Sequence, residues 1–233
     1  MSLPMCFVCV ASVYKAGEER KSATDVLSNL DRYQRIAPFY DLLDLPFERR
    51  RYRALRPLLF RGLAGRLLDA GVGTGRNFPF YPAGVSAVVG IDLSPRMLAR
   101  AERRRDQSPV PMDLRQMDVT KLDFAHNTFD AAVSTFLFCV LPDQLQVPAL
   151  QELGRVVKPD GPIRLLEYVR PPGTLRRIVS RIWDPWIAVA YGASFDRQTE
   201  AHIPAAGLEV DESRYVVDDL VKLICVRAAR RSN

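Results

Sequence analysis

The stretch Leu67-Leu68-Asp69-Ala70-Gly71-Val72-Gly73-Thr74-Gly75 constrains this 233-residue chain more than any other. Arg66 to Ala70 has the apolar character of a strand covered on both faces. Three glycines at alternate positions follow; with no Cβ in the way, they let the backbone turn sharply and come close to a ligand. Arg76 to Tyr81 reads as the start of a short helix. Strand, glycine turn and helix in that order open a doubly wound α/β sheet, in which ligands sit beyond the carboxyl ends of the strands. A chain of this length, 48% hydrophobic and 26% charged, can bury the core of one such domain.

The glycine turn alone leaves a structural turn and a dinucleotide site both open. A dinucleotide fingerprint spaces its glycines G-x-G-x-x-G. Here the third comes one place early, at Gly75, and Arg76 follows. Asp69 stands just ahead of the turn, where a carboxylate repels a pyrophosphate and attracts an ammonium group. The next apolar run, Val85 to Ile91, ends at Asp92, 23 residues after Asp69 and about where this fold places the acid that grips a ribose. A ligand with a ribose, an amino group and no phosphate suits both acids, and S-adenosylmethionine is such a ligand.

At these residues the chain resembles the class I S-adenosylmethionine-dependent methyltransferases, over roughly residues 33 to 228, and among them the methyltransferase type 11 or ubiquinone/menaquinone methyltransferase-like group. The resemblance implies a Rossmann-like seven-stranded sheet of order 3-2-1-4-5-7-6 with strand 7 antiparallel. It implies that Asp69, Gly71, Gly73, Gly75 and Asn77 bind the cofactor at this turn and that Asp92 binds the ribose. Leu93 and Met97 would pack near the adenine. Asp118, closing a third strand Asp113 to Met117, would accept from the adenine amino group, with Val119 beside it. Ser134 and Thr135, after Val133 in a fourth strand Ala131 to Phe136, would line the same site, since strand ends face the ligand. Tyr33 to Asp41 resembles the Y-x-x-x-A-x-x-Y-D entry segment whose tyrosines, here Tyr33 and Tyr40, close over the cofactor. Seven residues apart, they also share one helix face, so plain aromatic packing is the alternative.

Further along, Ser94 suits an N-cap and Pro95 the first helical position. Residues 46 to 62 read as an arginine-rich helix, and Leu145 to Val157 as another. Pro162 removes one ladder donor and belongs at the very start of a fifth strand, Ile163 to Tyr168. From Leu175 to Trp186, Leu175, Ile178, Val179, Ile182 and Trp186 share one helix face, with Arg176, Arg177 and Arg181 elsewhere. Such a helix either lies in a membrane interface or packs on the sheet. Gly207 to Val217 and Leu220 to Ala228 read as a final antiparallel pair turning at Asp218-Asp219. Residues 1–30 are expected to form an N-terminal extension and 31–233 a single domain.

Methyl transfer from a sulfonium is an in-line displacement with an activated leaving group, so neither a metal nor a triad is expected. Glu167, at the carboxyl end of the fifth strand, is the candidate acid–base or substrate-orienting group; the alternative is a carboxylate that only caps the following loop. His126 and His202 read as surface residues. Cys6 and Cys9 form a C-x-x-C with no second pair, which speaks against zinc, and Cys139 and Cys225 read as small core residues. The net charge of +6 is carried by arginine clusters, of which Arg49–Arg56 and Arg103–Arg105 read as solvated helix faces. The chain lacks an Asn/Asp-Pro-Pro-Tyr/Phe tetrapeptide, so no nucleic-acid partner is expected. The favoured acceptor is a quinone or phospholipid, with a small soluble thiol or metabolite as alternative and a non-catalytic cofactor-binding protein as the second. The expected location is cytoplasmic, with peripheral membrane contact if the Leu175–Trp186 helix is interfacial.

Overall fold

The computed structural model describes residues 52–169 and 198–229. The expectations for residues 1–30, Cys6, Cys9, Tyr33, Tyr40 and the Leu175–Trp186 helix lie outside them. The described residues form one seven-stranded sheet: β1 (Gly65–Ala70), β2 (Val85–Asp92), β3 (Met112–Gln116), β4 (Ala131–Thr135), β5 (Ile163–Tyr168), β6 (Leu208–Val217) and β7 (Val221–Ala228). Their order is β3-β2-β1-β4-β5-β7-β6, as the resemblance implied. Strands β3 to β5 in that order pair in parallel, and β7 runs antiparallel to both β5 and β6.

The unalternating apolar run of β1 follows from its central place. Leu67 turns to one face, into a cluster with Leu59, Phe60 and Phe78; Leu68 turns to the other, against Leu150 and Leu153. A parallel strand buried on both faces has no solvent side to write into its sequence. Among the described residues four α-helices accompany the sheet: α1 (Arg56–Phe60), α2 (Pro95–Glu102), α3 (Asp143–Val156) and α4 (Thr199–His202). Ser94 caps α2, its hydroxyl oxygen accepting from Met97 N at 3.3 Å.

The structure corrects several boundaries. Arg76 to Tyr81 holds only a 3₁₀ turn, Phe78–Phe80, because the chain returns to extended backbone at Tyr81. The described part of the 46–62 stretch is α-helical over Arg56–Phe60 alone, and the chain then turns at Gly62 with φ +73°. β4 stops at Thr135, since Phe136 enters the left-handed region with φ +56°. Helix α3 begins at Asp143, two residues before the expected start, directly after Pro142. Pro162 does precede β5, and its carbonyl accepts from Ala132 N at 3.1 Å. The arginines are less solvated than their clustering suggested. Arg56 is 4% exposed, and Arg104 reaches back to the Thr74 carbonyl and hydroxyl oxygens, both at 2.9 Å.

Candidate functional site

The turn after β1 forms the floor of a cleft at the carboxyl ends of β1, β2 and β4. Gly71 and Gly73 hold φ +75° and +57°, values that an L side chain rarely adopts. Gly71 N and Val72 N both donate to the Ile91 carbonyl at 2.9 Å, fixing the turn to β2. A Cβ on Gly73 would meet nothing closer than 3.9 Å, so this glycine opens onto the cleft. Gly75 serves the packing beneath instead, because a Cβ there would sit 2.6 Å from the Phe78 ring. Counted to its open mouth, the cleft holds about 950 Å³.

Two carboxylates stand on its wall. Asp92, half-buried at the end of β2, accepts from Gly73 N at 2.9 Å through Oδ2 and from Ser94 N at 2.8 Å through Oδ1. Burial pushes its carboxyl up to about 6; the two amides pull against that rise, and the charge of Asp69 adds to it. Asp118 accepts from the Thr120 amide and hydroxyl, both at 2.8 Å, through Oδ1. Its Oδ2 makes no hydrogen bond among the described residues. Leu93, Met97 and Val119 line the cleft between these acids, together with Ile91 and Met117.

Below the glycine turn lies a buried polar network. Asn77, 3% exposed, donates to Asp69 Oδ2 at 2.9 Å and to Thr135 Oγ1 at 3.1 Å. Arg56 donates to Asn77 Oδ1 at 2.5 Å, and the Tyr81 hydroxyl donates to Asp69 Oδ2 at 2.7 Å. Burial raises the Asp69 carboxyl, against the lowering pull of Tyr81, Asn77 and Arg56. Burial and the adjacent Asp69 hold the Tyr81 phenol well above its usual range, so it remains a donor. Both hydrogen bonds to the Asp69 carboxylate, from Asn77 and Tyr81, fall on Oδ2. Among the described residues Asp69 Oδ1 is buried without a partner, and so is Ser134 Oγ at the end of β4.

The facing wall is apolar and comes from the segment after β4. Phe136, Leu137, Val140, Leu141 and Pro142 line it, with Leu145 of α3. Phe136 stacks on Tyr168 at 4.8 Å between ring centroids and leans on Tyr52 at 5.0 Å; the hydroxyls of Tyr52 and Tyr168 are hydrogen-bonded to each other. Glu167 is fully buried behind this wall and accepts from three of its backbone amides.

Of the residues singled out from the sequence, Gly71, Gly73, Asp92, Leu93, Met97, Asp118, Val119 and Thr135 come together on the cleft surface. Asp69, Gly75, Asn77, Ser134 and Glu167 lie behind or beneath it, and Tyr33 and Tyr40 lie outside the described residues. The sequence reading missed Ser94, Met117 and the whole 136–145 wall. The available signal was the apolar run Phe136 to Leu141 directly after a strand end, where this fold presents residues to its ligand. His126 is exposed, and His202 is half-buried with Nε2 3.9 Å from Asp143. Cys139 is buried and Cys225 half-buried.

Residues 67–161 match the family model described as "Methyltransferase domain". The chain is 41% identical over 118 residues to a phosphatidylethanolamine N-methyltransferase of Cereibacter sphaeroides, covering 49% of this chain and 56% of that protein. It therefore spans little more than half the length of that relative. It is 34% identical over 158 residues to a demethylmenaquinone methyltransferase of Thermus thermophilus, covering 65% of this chain and 70% of that protein. Among solved structures, the DhpI-SAH complex superposes with a TM-score of 0.65 at 19% identity, covering 88% of this chain and 98% of that one.

Proposed function

Because the chain belongs to the class I S-adenosylmethionine-dependent methyltransferases, we propose that it transfers a methyl group from S-adenosylmethionine to a lipid-like acceptor, a quinone ring or a phospholipid headgroup. The observation that carries the cofactor assignment is the placement of three strand-end acids around one glycine turn. Asp92 and Asp118 stand on the cleft wall, and Asp69 is buried directly under the turn with one oxygen unpartnered among the described residues. That set fits the cofactor. A buried carboxylate oxygen without a partner suits a bound ammonium group, and the open face of Gly73 leaves room for a ligand where any side chain would intrude.

In this reading the bound cofactor supplies an electrophilic methyl group, and the protein's residues bind, orient and exclude water. Asp92 keeps acceptor capacity on both oxygens beyond its two amide bonds and would hold the ribose hydroxyls. Asp118 Oδ2 would take the adenine amino group, and Leu93, Met97 and Val119 would flank the ring. Gly71 and Gly73 let the backbone approach. Asn77 braces Asp69 and Thr135 from below and would act by positioning them. Tyr33 and Tyr40 would close over the cofactor.

The acceptor class rests on the relatives, one named for a phospholipid amine and one for a quinone precursor, and on the apolar 136–145 wall. No helix among the described residues is long and apolar enough to cross a membrane. Peripheral access to such an acceptor, through residues 175–186 read from the sequence as an amphipathic segment, and a cytoplasmic location remain part of this proposal. The test is mass spectrometry of lipid and quinone extracts incubated with the protein and isotopically labelled S-adenosylmethionine. Label in a quinone or aminophospholipid supports the assignment. Label confined to water-soluble thiols or metabolites overturns the acceptor class and leaves the donor intact.

A further inference from the structure

Glu167 is the one acidic side chain on β5. It is fully buried, and its carboxylate meets three successive backbone amides: Oε1 accepts from Leu137 N at 2.9 Å and Phe138 N at 3.0 Å, and Oε2 from Cys139 N at 3.1 Å. Those amides follow Phe136, which reverses the chain in the left-handed region, a conformation a bulky residue adopts only where its surroundings impose it. The segment is fastened from its other side as well. Gln146, buried in α3, donates to the Phe138 carbonyl at 3.0 Å and the Leu141 carbonyl at 3.4 Å.

The polar groups around Glu167 match an anion. Cys139 Sγ lies beside it and donates to the Phe136 carbonyl at 3.3 Å. On β7, Lys222 pairs with Glu167 in register, but its ammonium is engaged by Glu200 of α4 at 2.6 Å and lies over the Tyr215 ring. On β4, the strand on the other side, Ser134 pairs in register with Leu165, two residues before Glu167. The groups facing the carboxylate oxygens are therefore donors, three backbone N–H groups and the Cys139 thiol, each matched to a lone pair. An amide in place of the carboxyl would turn its own NH₂ toward at least one of them.

We propose that Glu167 is a positioning residue that clamps the 137–139 amides and thereby holds the Phe136–Leu141 wall against the cofactor cleft, without touching the reacting groups. The clamp reaches the cleft through Leu137, whose side-chain carbons would lie within 3.1–3.2 Å of a Cβ on Gly71. A loosened wall therefore moves directly over the glycine floor. The inference rests on the reading of this cleft as the S-adenosylmethionine site.

The test compares the parent with Glu167→Gln. Amide hydrogen exchange of residues 137–139 in cofactor-free protein should speed by about tenfold or more in the variant, the effect of leaving a buried donor unsatisfied. Its affinity for S-adenosylhomocysteine should fall by about tenfold, and a steady-state assay should show the loss mainly in the KM for the donor. Unchanged exchange overturns the clamp, and faster exchange with parental affinity overturns its link to the cleft. A parent that does not bind S-adenosylhomocysteine overturns the reading of the site rather than the clamp.

A second measurement needs no variant. Carbon-13 carboxyl resonances of the parent should show Glu167 titrating near the value of about 7 to which burial raises it. Saturation with S-adenosylhomocysteine should lower that midpoint, because the ligand favours the clamped, ionised form. An identical midpoint with and without ligand overturns the proposal.

Discussion

The two walls of the cleft are built in different ways. On the β1–β3 side each cleft carboxylate is held by an amide two residues on, Asp92 by Ser94 and Asp118 by Thr120, and Asp92 and Ile91 then tie the glycine turn to the end of β2. On the β4–β5 side the wall is held from afar. Glu167 grips amides 28 to 30 residues away, and Gln146 completes the fastening from α3. The first wall is a local motif and carries its chemistry on its surface. The second is an apolar sheet of side chains whose chemistry is hidden behind it. A local motif can be disabled by one backbone change, whereas the distant clamp should respond to protonation.

The largest expected effect falls on the local side. Gly75→Ala combines a left-handed φ with a Cβ 2.6 Å from the Phe78 ring. Left-handed strain and overpacking together should cost roughly 2–5 kcal/mol of stability, measured by urea unfolding. A variant as stable as the parent would mean that the turn is not rigid.

The next effect belongs to the clamp. Glu167 has its carboxyl raised from an ordinary 4.5 to about 7 by burial. The folded state then holds the proton more tightly than the unfolded state. Stability from this group is fully present below about pH 4.5 and is lost as pH rises through about 7, up to about 3 kcal/mol. Asp92, raised from 3.8 to about 6, contributes with the same sign at lower pH. Cofactor-free protein should therefore become less stable between about pH 4 and about pH 7. Glu167→Gln should flatten the upper part of that slope, and an unchanged slope would show that Glu167 does not titrate there.

Asp92→Ala removes the acceptor placed at the end of β2 and should weaken cofactor binding by about 1.5–3 kcal/mol, with calorimetry as the readout. Gly73→Ala is the mildest case. Its Cβ has open space, so about 1 kcal/mol of conformational cost should appear in stability, together with a fall in cofactor affinity. If Gly73→Ala proved as damaging as Gly75→Ala, the distinction between cleft floor and packing glycine would fail.

This division also explains what was legible in the sequence. Asp92 could be read because it ends an apolar run at a regular distance from the glycine turn, whereas the order of the seven strands and the places of Leu93, Met97 and Asp118 came from the family resemblance that this turn supports. Asn77 was picked out for the ligand, yet it braces Asp69 and Thr135 from beneath, and no local pattern distinguishes those two roles. Arg56 sits in an arginine cluster that looks solvated; only the fold brings it within reach of an asparagine 21 residues away and buries it. The left-handed Phe136 is imposed by tertiary contacts against its own backbone preference, so the end of β4 was read one residue too far. Glu167 could be placed at a strand end, but its three amide partners lie in a segment that composition marks only as apolar.

The most direct measurement is a calorimetric titration of the protein with S-adenosylmethionine, S-adenosylhomocysteine and NAD. The expected result is saturable one-to-one binding of both sulfur nucleosides and no heat from NAD, since Asp69 and Asp92 favour an ammonium and a ribose and Asp69 disfavours a pyrophosphate. Binding of NAD, or absence of binding by either sulfur nucleoside, would contradict the assignment of the cleft.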